Sequence, residues 1–431
     1  MFLAQDSCAM GDRYWGQKHR PPVNPDFNEF KDALRIMKEQ TQFRGIKLEQ
    51  DIQTNILYEA LWDVWEEGYV LDGQGHSIKY GGGGCFASLF RENYGTIMNL
   101  SIYGGIRHSV KGEDAADTYA GMLAEKNYGL ITKCYTGGTA CISSDARYVG
   151  GLVGYNEGTI SGCSLDRFNV TWRSADSLEK GNTVGYVGGY AGYNAYNGVI
   201  KNCSFDALLG NSCSADQEVF VGGIAGINQG LIRECTVKGY VGAGASDDQD
   251  TTPSLLKAYA GGIAGIDAAY DESDPDKAVR GIYNCIVQDC LIKGSYAAGG
   301  LMGECNYSAL EGNELVGVEV YTNRGYAGQI AGVYDSMRGN ITEYNYITNA
   351  KIRTNTGQVG VVAAYGREWG QSTAFNGLHY PMAVRSRDDK TRVVINGEYT
   401  YYRKGAFYPY WHANKYKCNY YSESEIVSEE W

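Results

Sequence analysis

From about residue 80 to residue 365 the apolar positions come in short bursts broken by glycine, and one phrase recurs through them. It reads Tyr119-AGMLAEKNYGLITKC, Tyr148-VGGLVGYNEGTISGC, Tyr186-VGGYAGYNAYNGVIKNC, Phe220-VGGIAGINQGLIREC and Tyr259-AGGIAGI. Worn copies begin at Tyr296, Tyr326 and Gln358, and an early one at Phe86. The first glycines of the copies (Gly121, Gly150, Gly188, Gly222, Gly261, Gly299, Gly328, Gly360) follow at steps of 29 to 39 residues. A drifting period of this size predicts stacked coils joined by variable loops.

Within a copy, the aliphatic residues of Val149 to Val153 supply an interior, and the glycines allow close approach of backbones. The polar turn Asn156-Glu-Gly158 leads into a short alternating strand, Thr159 to Ser164. A helical reading fails, since each interior glycine costs a helix about 1 kcal/mol. A single coil exposes a greasy face, so stability comes from stacking on the next. The predicted fold is all-β, a right-handed parallel β-helix of about eight to ten degenerate coils with an N-terminal capping helix.

Five cysteines follow the same register. Cys134, Cys163, Cys203 and Cys235 stand five residues after a turn glycine, and Cys285 keeps the Ile-x-x-Cys pattern. The early copy has Leu100 at this position, which marks an interior packing site and predicts a buried column of free thiols. No His or Cys-x-x-Cys pair accompanies them, as a zinc site requires. Cys8, Cys85, Cys141, Cys213, Cys290, Cys305 and Cys418 fall outside the register, and their state is left open.

The ends differ from the middle. Residues 1–25 read as an N-terminal extension, and residues 26–83 as a capping helix followed by the first strands. Asp26-Phe-Asn-Glu29 is a helix start, after which Phe27, Phe30, Leu34 and Met37 share one face. Strands follow at Phe43 to Ile52 and Tyr69 to Ile78, the second turning at Asp72-Gly73. Residues 84–365 form the solenoid. The aromatic-rich residues 366–431 read as a C-terminal cap or extension.

The phrases VGGLVGYNEGTISGCS and VGGIAGINQGLIRECT resemble the GLUG repeat of bacterial surface and secreted proteins, including the region beside the catalytic domain of IgA-cleaving metallopeptidases. The resemblance implies an extracellular or cell-surface β-solenoid that serves binding or display. The His-Glu-x-x-His zinc motif of those peptidases does not occur in this sequence.

Composition narrows the choice of partner. The formal net charge of -12 argues against a nucleic-acid or anionic-membrane role. No stretch of 18 apolar residues suggests a membrane span, and the first residues carry no basic stretch before an apolar core. The expected function is therefore binding, adhesion or display toward a glycan or a surface protein. The alternatives are a glycoside hydrolase or polysaccharide lyase with a carboxylate-lined groove, and a structural subunit of a larger assembly.

Candidate chemistry lies where the coils differ. Loop acids at Asp63, Glu66, Glu67, Asp114, Asp117, Asp176 and Glu179 could serve a groove, with Trp62, Trp65, Trp172 and Trp369 to stack on sugar rings. Of these, Trp172, Trp369, Asp114 and Asp117 are the expected ligand-binding residues. Asp267, Asp271, Asp274 and Asp276 cluster in an insertion, and such hard oxygen ligands suit calcium, the one cofactor the sequence suggests. Their spacing lacks the central Gly and final Glu of an EF-hand loop, so a plain acidic insertion competes with that reading. No Gly-x-Ser-x-Gly elbow and no Gly-rich loop ending in Lys-Ser/Thr occurs, and no catalytic residue is assigned.

Overall fold

The repeat phrase folds into a coil of four short strands, because its glycines and polar residues fall at the corners. In the coil that begins at Tyr148 the strands are Tyr148–Gly150, Val153–Asn156, Thr159–Ser161 and Ser164–Arg173. Each pairs in parallel with its counterpart in the next coil: Val184–Gly188, Ala191–Asn194, Val199–Lys201 and Ser204–Ser212. The result is a tube with four faces, numbered here in chain order, and the chain is an all-β parallel solenoid closed at its N-terminal end by a helix.

The computed structural model describes residues 2–6, 27–40, 42–54, 57–80, 85–108, 117–137, 140–173, 184–212, 218–244, 257–268, 280–306, 309–323, 325–336, 345–354, 358–360 and 363–366, and the strands 384–386, 391–395, 398–402, 405–407 and 426–429.

On the first face, Gly150, Gly188, Gly222, Gly261, Gly299, Gly328 and Gly360 pair in one unbroken register. On the third, Ile97, Ile131, Ile160, Ile200, Ile232, Ile282 and Leu310 stack the same way, with no accessible surface. Burying each such side chain contributes roughly 1.5–3 kcal/mol.

The helix Phe27–Glu39 turns Phe27, Phe30, Ala33, Leu34 and Met37 inward. They join Ile46, Leu48, Trp62 and Trp65 in the same core, so the first coil does not end on open apolar surface. Phe2–Asp6 pairs antiparallel with Phe43–Leu48 and ends the third face. At the far end of the fourth face Lys351–Thr354 pairs in parallel with Thr391–Ile395. The antiparallel strands Glu398–Tyr402 and Ile426–Glu429 then end the stack.

Two polar columns line the corners from inside. Between the second and third faces, Asn93, Asn127, Asn156, Asn194 and Asn228 are fully buried, and each Nδ2 donates to the Oδ1 of the next at 2.6–2.8 Å. Asn127, Asn156, Asn194 and Asn228 also donate to the carbonyls of the turn glycines Gly129, Gly158, Gly198 and Gly230. The turn Asn156-Glu-Gly158 is thus polar inward as well as outward: each turn-glycine carbonyl accepts a backbone N–H from the next coil, as Gly129 does from Thr159 and Gly158 from Val199, and takes the side-chain amide on its second lone pair.

Between the third and fourth faces lies the cysteine column. Cys134, Cys163, Cys203, Cys235 and Cys285 are buried and free, and Cys134 N–H donates to Cys163 Sγ at 3.4 Å. Burial pushes the Cys203 and Cys235 thiols well up. Of the cysteines left open by the sequence, Cys85, Cys141, Cys290 and Cys305 are also free thiols. Cys8, Cys213 and Cys418 lie outside the described residues. The residue before each column member takes a left-handed conformation: Asn99, Lys133, Gly162, Asn202, Glu234 and Asn284, with φ between 51° and 61°.

Candidate functional site

Where the first and second faces meet, the tube has a tight corner. Its cause is glycine: a Cβ on Gly154 would lie 2.6 Å from Tyr119 Cβ and from Ala120 N, and Gly192 and Gly226 meet the first-face backbone of the preceding coil in the same way. The second-face strand can therefore lie against that backbone, and the aromatic residues flanking the corner are brought together above it.

Those residues form a connected series of rings. On the first face Tyr119, Tyr148, Tyr186, Phe220 and Tyr259 stack with centroids 4.5–5.3 Å apart and nearly parallel planes. From the second face Tyr155 meets Tyr119 edge-on at 5.7 Å, and Tyr193 stacks on Tyr148 at 5.4 Å. Tyr128 links Tyr155 to Tyr94, on which it stacks at 4.6 Å. Toward the C-terminal end the corner closes on itself: Phe220, Tyr259, Ala297 and Val333 make a small second core outside the tube. Toward the N-terminal end the rings are half-exposed, and Tyr94 is 41% exposed.

Beside Tyr94 and Tyr128 runs a shallow groove of about 550 Å³, lined by Glu67, Glu157, Asn197 and both tyrosines. Its floor is the column Gly95, Gly129 and Gly158, where coils approach so closely that a Cβ on Gly158 would lie 2.1 Å from the Gly129 carbonyl oxygen. Glu157 is held in place: Tyr155 donates its hydroxyl to Oε2 at 2.8 Å, and Asn197 donates its amide to Oε1 at 3.1 Å. Burial pushes the Tyr128 phenol up to about 12, with Glu92 adding to the effect. Burial with Asp117 nearby does the same for Tyr119. These hydroxyls stay protonated and able to donate across the physiological range. Because the columns stack face to face, they present mainly ring edges and hydroxyls to solvent, with free ring faces only at breaks in the stack.

The residues expected from the sequence fall elsewhere. Trp172 is 1% exposed, and its indole donates to the Ala146 carbonyl at 2.9 Å, so it is an interior residue and not a stacking platform. It fits because Gly185 leaves room: a Cβ there would lie 2.5 Å from the Trp172 ring. Trp62 and Trp65 are likewise core residues, packed edge to face. Asp117 is exposed at the N-terminal end of the ring series, electrostatically coupled to Tyr119 and Tyr148. Asp63 pairs with Arg91 and Glu66 with Arg44, both at the surface. Trp369 and Asp114 lie outside the described residues.

Asp267 is fully buried and accepts the Asn228 amide at 2.6 Å, which makes it the last member of the asparagine column. Asp271, Asp274 and Asp276 of the insertion that suggested calcium lie outside the described residues. Among the described residues no group of three or more His, Cys, Asp or Glu side chains is placed to hold a metal ion. No helix among them is long and apolar enough to cross a membrane.

A family model, the GLUG motif, matches residues 145–171. That segment is one coil, from just before Tyr148–Gly150 into the long fourth-face strand. A search of the curated proteins finds no match.

Proposed function

We propose that this chain is an extracellular or cell-surface β-solenoid whose task is binding or display, and that its ligand is an extended glycan lying along the tyrosine edge. The observation that carries the reading is the connected ring series from Tyr94 to Tyr259 beside a groove furnished with carboxylates, an amide and phenol hydroxyls. Rings pre-ordered by stacking lose little conformational freedom on binding, and their hydroxyls match a ligand made of hydroxyls. The GLUG match over one coil and the parallel fold support the scaffold role.

The test is a glycan array probed with the full chain, repeated with Tyr94→Ala and Tyr128→Ala. Binding that weakens in both variants while the melting midpoint holds supports the reading. An array without hits, alongside capture of a defined surface protein through the same tyrosines, would transfer the site to a protein partner. A hydrolase or lyase on the same scaffold needs two carboxylates about 5–9.5 Å apart, whereas Glu67 and Glu157 stand three coils apart, about 14 Å at ~4.8 Å per coil, so the groove favours binding over cleavage. Product analysis on each array hit decides between binding and cleavage.

We also take residues 26–83 as an N-terminal cap, 84–365 as the solenoid and 366–431 as a C-terminal cap. Limited proteolysis is expected to cut near residues 84 and 366 before it cuts within the coils.

A further inference from the structure

The groove beside Tyr94 is chemically one-sided. Successive coils bring Glu67, Tyr94, Tyr128, Glu157 and Asn197 to it, over the turn glycines Gly68, Gly95, Gly129 and Gly158. The two rings stack on each other with planes 11° apart and Tyr155 packs against Tyr128 at 5.8 Å, so the pair offers the outer face of Tyr94 and the ring edges. Along the chain, a turn carrying a glutamate stands on either side of that pair.

Among the described lining residues there is no cation. Two basic side chains on strands that flank these turns have partners: Lys126 pairs with Glu92 at 3.5 Å, and Arg44 with Glu66 at 3.5 Å. Glu157 accepts from Tyr155 and from Asn197 on different oxygens, which orients it as an acceptor. Aromatic faces bracketed by carboxylates attract a positive group through the ring quadrupole and the full charges together. The overall charge of -12 draws a polycation toward the surface.

We propose that this groove recognises the protonated amino groups of an amine-bearing glycan, a chain of hexosamine units whose amines are free. The proposal rests on the glycan reading above and narrows it. Coils recur about every 4.8 Å, close to the length of one pyranose unit, and Glu67 and Glu157 stand three coils apart, so amines three units apart along the chain can reach both carboxylates. Glu67 and Glu157 receive the ammonium groups, and the edges and hydroxyls of Tyr94 and Tyr128 meet the sugar rings between them.

The experiment is calorimetric titration of the full chain with three hexasaccharides: glucosamine, N-acetylglucosamine and glucose, at a mildly acidic pH that protonates the free amine. The glucosamine oligomer is expected to bind. Raising the salt from about 0.05 M to about 0.5 M is expected to weaken it severalfold, since screening then acts within about 5 Å. Glu67→Gln combined with Glu157→Gln is expected to weaken it by about tenfold, with the melting midpoint unchanged. Equal or tighter binding of the acetylated or neutral oligomer overturns the amine assignment and leaves the glycan reading standing. Binding of none of the three, with a silent array, overturns both.

Discussion

Asn228 donates its side-chain amide to the carboxylate of Asp267 at 2.6 Å, with both side chains wholly buried. The asparagine column has a direction, each amide donating toward the C-terminal coil, and at Asp267 a carboxyl takes the place of the amide. Cys305 occupies the equivalent position one coil later.

Interrupting the column should be costly. Asn194→Leu leaves one Asn156 N–H without its acceptor and takes a donor from Asn228 Oδ1 and from the Gly198 carbonyl, although Asn156 keeps the Gly158 carbonyl and Gly198 keeps the Leu231 N–H. The expected destabilisation is about 1–3 kcal/mol, read as a fall in the thermal or urea midpoint. The exposed neighbour Asn197→Ala should cost less than about 0.5 kcal/mol, and an equal effect for both would mean the column contributes no more than the surface does.

Trp172 gives a second contrast. Its replacement by Ala empties a large interior volume and frees the Ala146 carbonyl, so a loss of about 3–5 kcal/mol is expected. Trp172→Phe keeps most of the volume and should cost clearly less. A variant that lost ligand binding with an unchanged melting midpoint would contradict the interior placement.

The left-handed corner predicts stabilising changes. Glu234 holds φ at 55°, while the same corner of other coils uses Asn99, Asn202, Asn284 or Gly162. Asparagine tolerates this conformation better than glutamate, so Glu234→Asn should raise stability by about 0.5 kcal/mol. Gly162→Ala should lower it by about 1 kcal/mol, as measured by the shift in the unfolding midpoint.

Alkaline titration tests the buried thiols and half-buried phenols together. Tyr119 and Tyr128 are pushed up to about 12, and Cys290 to about 12, all chiefly by burial. The folded state thus holds protons that the unfolded chain releases from about pH 9 for the thiol and about pH 10 for the phenols. Their contribution is fully present below those values and is lost as the pH rises toward 12. Tyrosinate absorbance should appear later in the folded protein than in urea, and the melting midpoint should fall across the same interval. A folded-state curve that overlays the unfolded one would refute the burial of these groups.

Much of the scaffold was legible because its cause is periodic. The marker glycines pair in the register their spacing predicts, and the cysteine column follows from the interchange of Leu100 with Cys134 and its successors. The inward asparagines leave a weaker trace: Asn127, Asn156, Asn194 and Asn228 recur while the residue after each changes. An Asn-x-Gly turn reads as exposed, and only the stacked neighbours turn its amide inward. Asp267 is hidden for a related reason: the acids that follow it obscure its alignment with Asn228. Trp172 has no interior register in the sequence, because the strand Ser164–Arg173 outlasts the repeat phrase. The tyrosine edge arises from residues in different coils, and no local pattern announces which rings meet across a corner.

At the coil that follows Asp267 the two polar corners exchange their chemistry. Asp267 is succeeded by Cys305, while Cys285 is succeeded by Asn313, whose Oδ1 accepts the Cys285 backbone N–H at 2.9 Å. The coils from Asn127 to Asn228, with Cys134 to Cys235, carry the same corner residues and are interchangeable parts, whereas those after the junction are not. Removing the coil that contains Asn194 and Cys203 would bring Asn156 against Asn228 and Cys163 against Cys235, like against like. Removing the coil that contains Asp267 and Cys285 would set Asn228 against Cys305 and Cys235 against Asn313. The chain could thus lengthen or shorten by whole units on the N-terminal side of this junction, while the junction fixes the order of what lies beyond it.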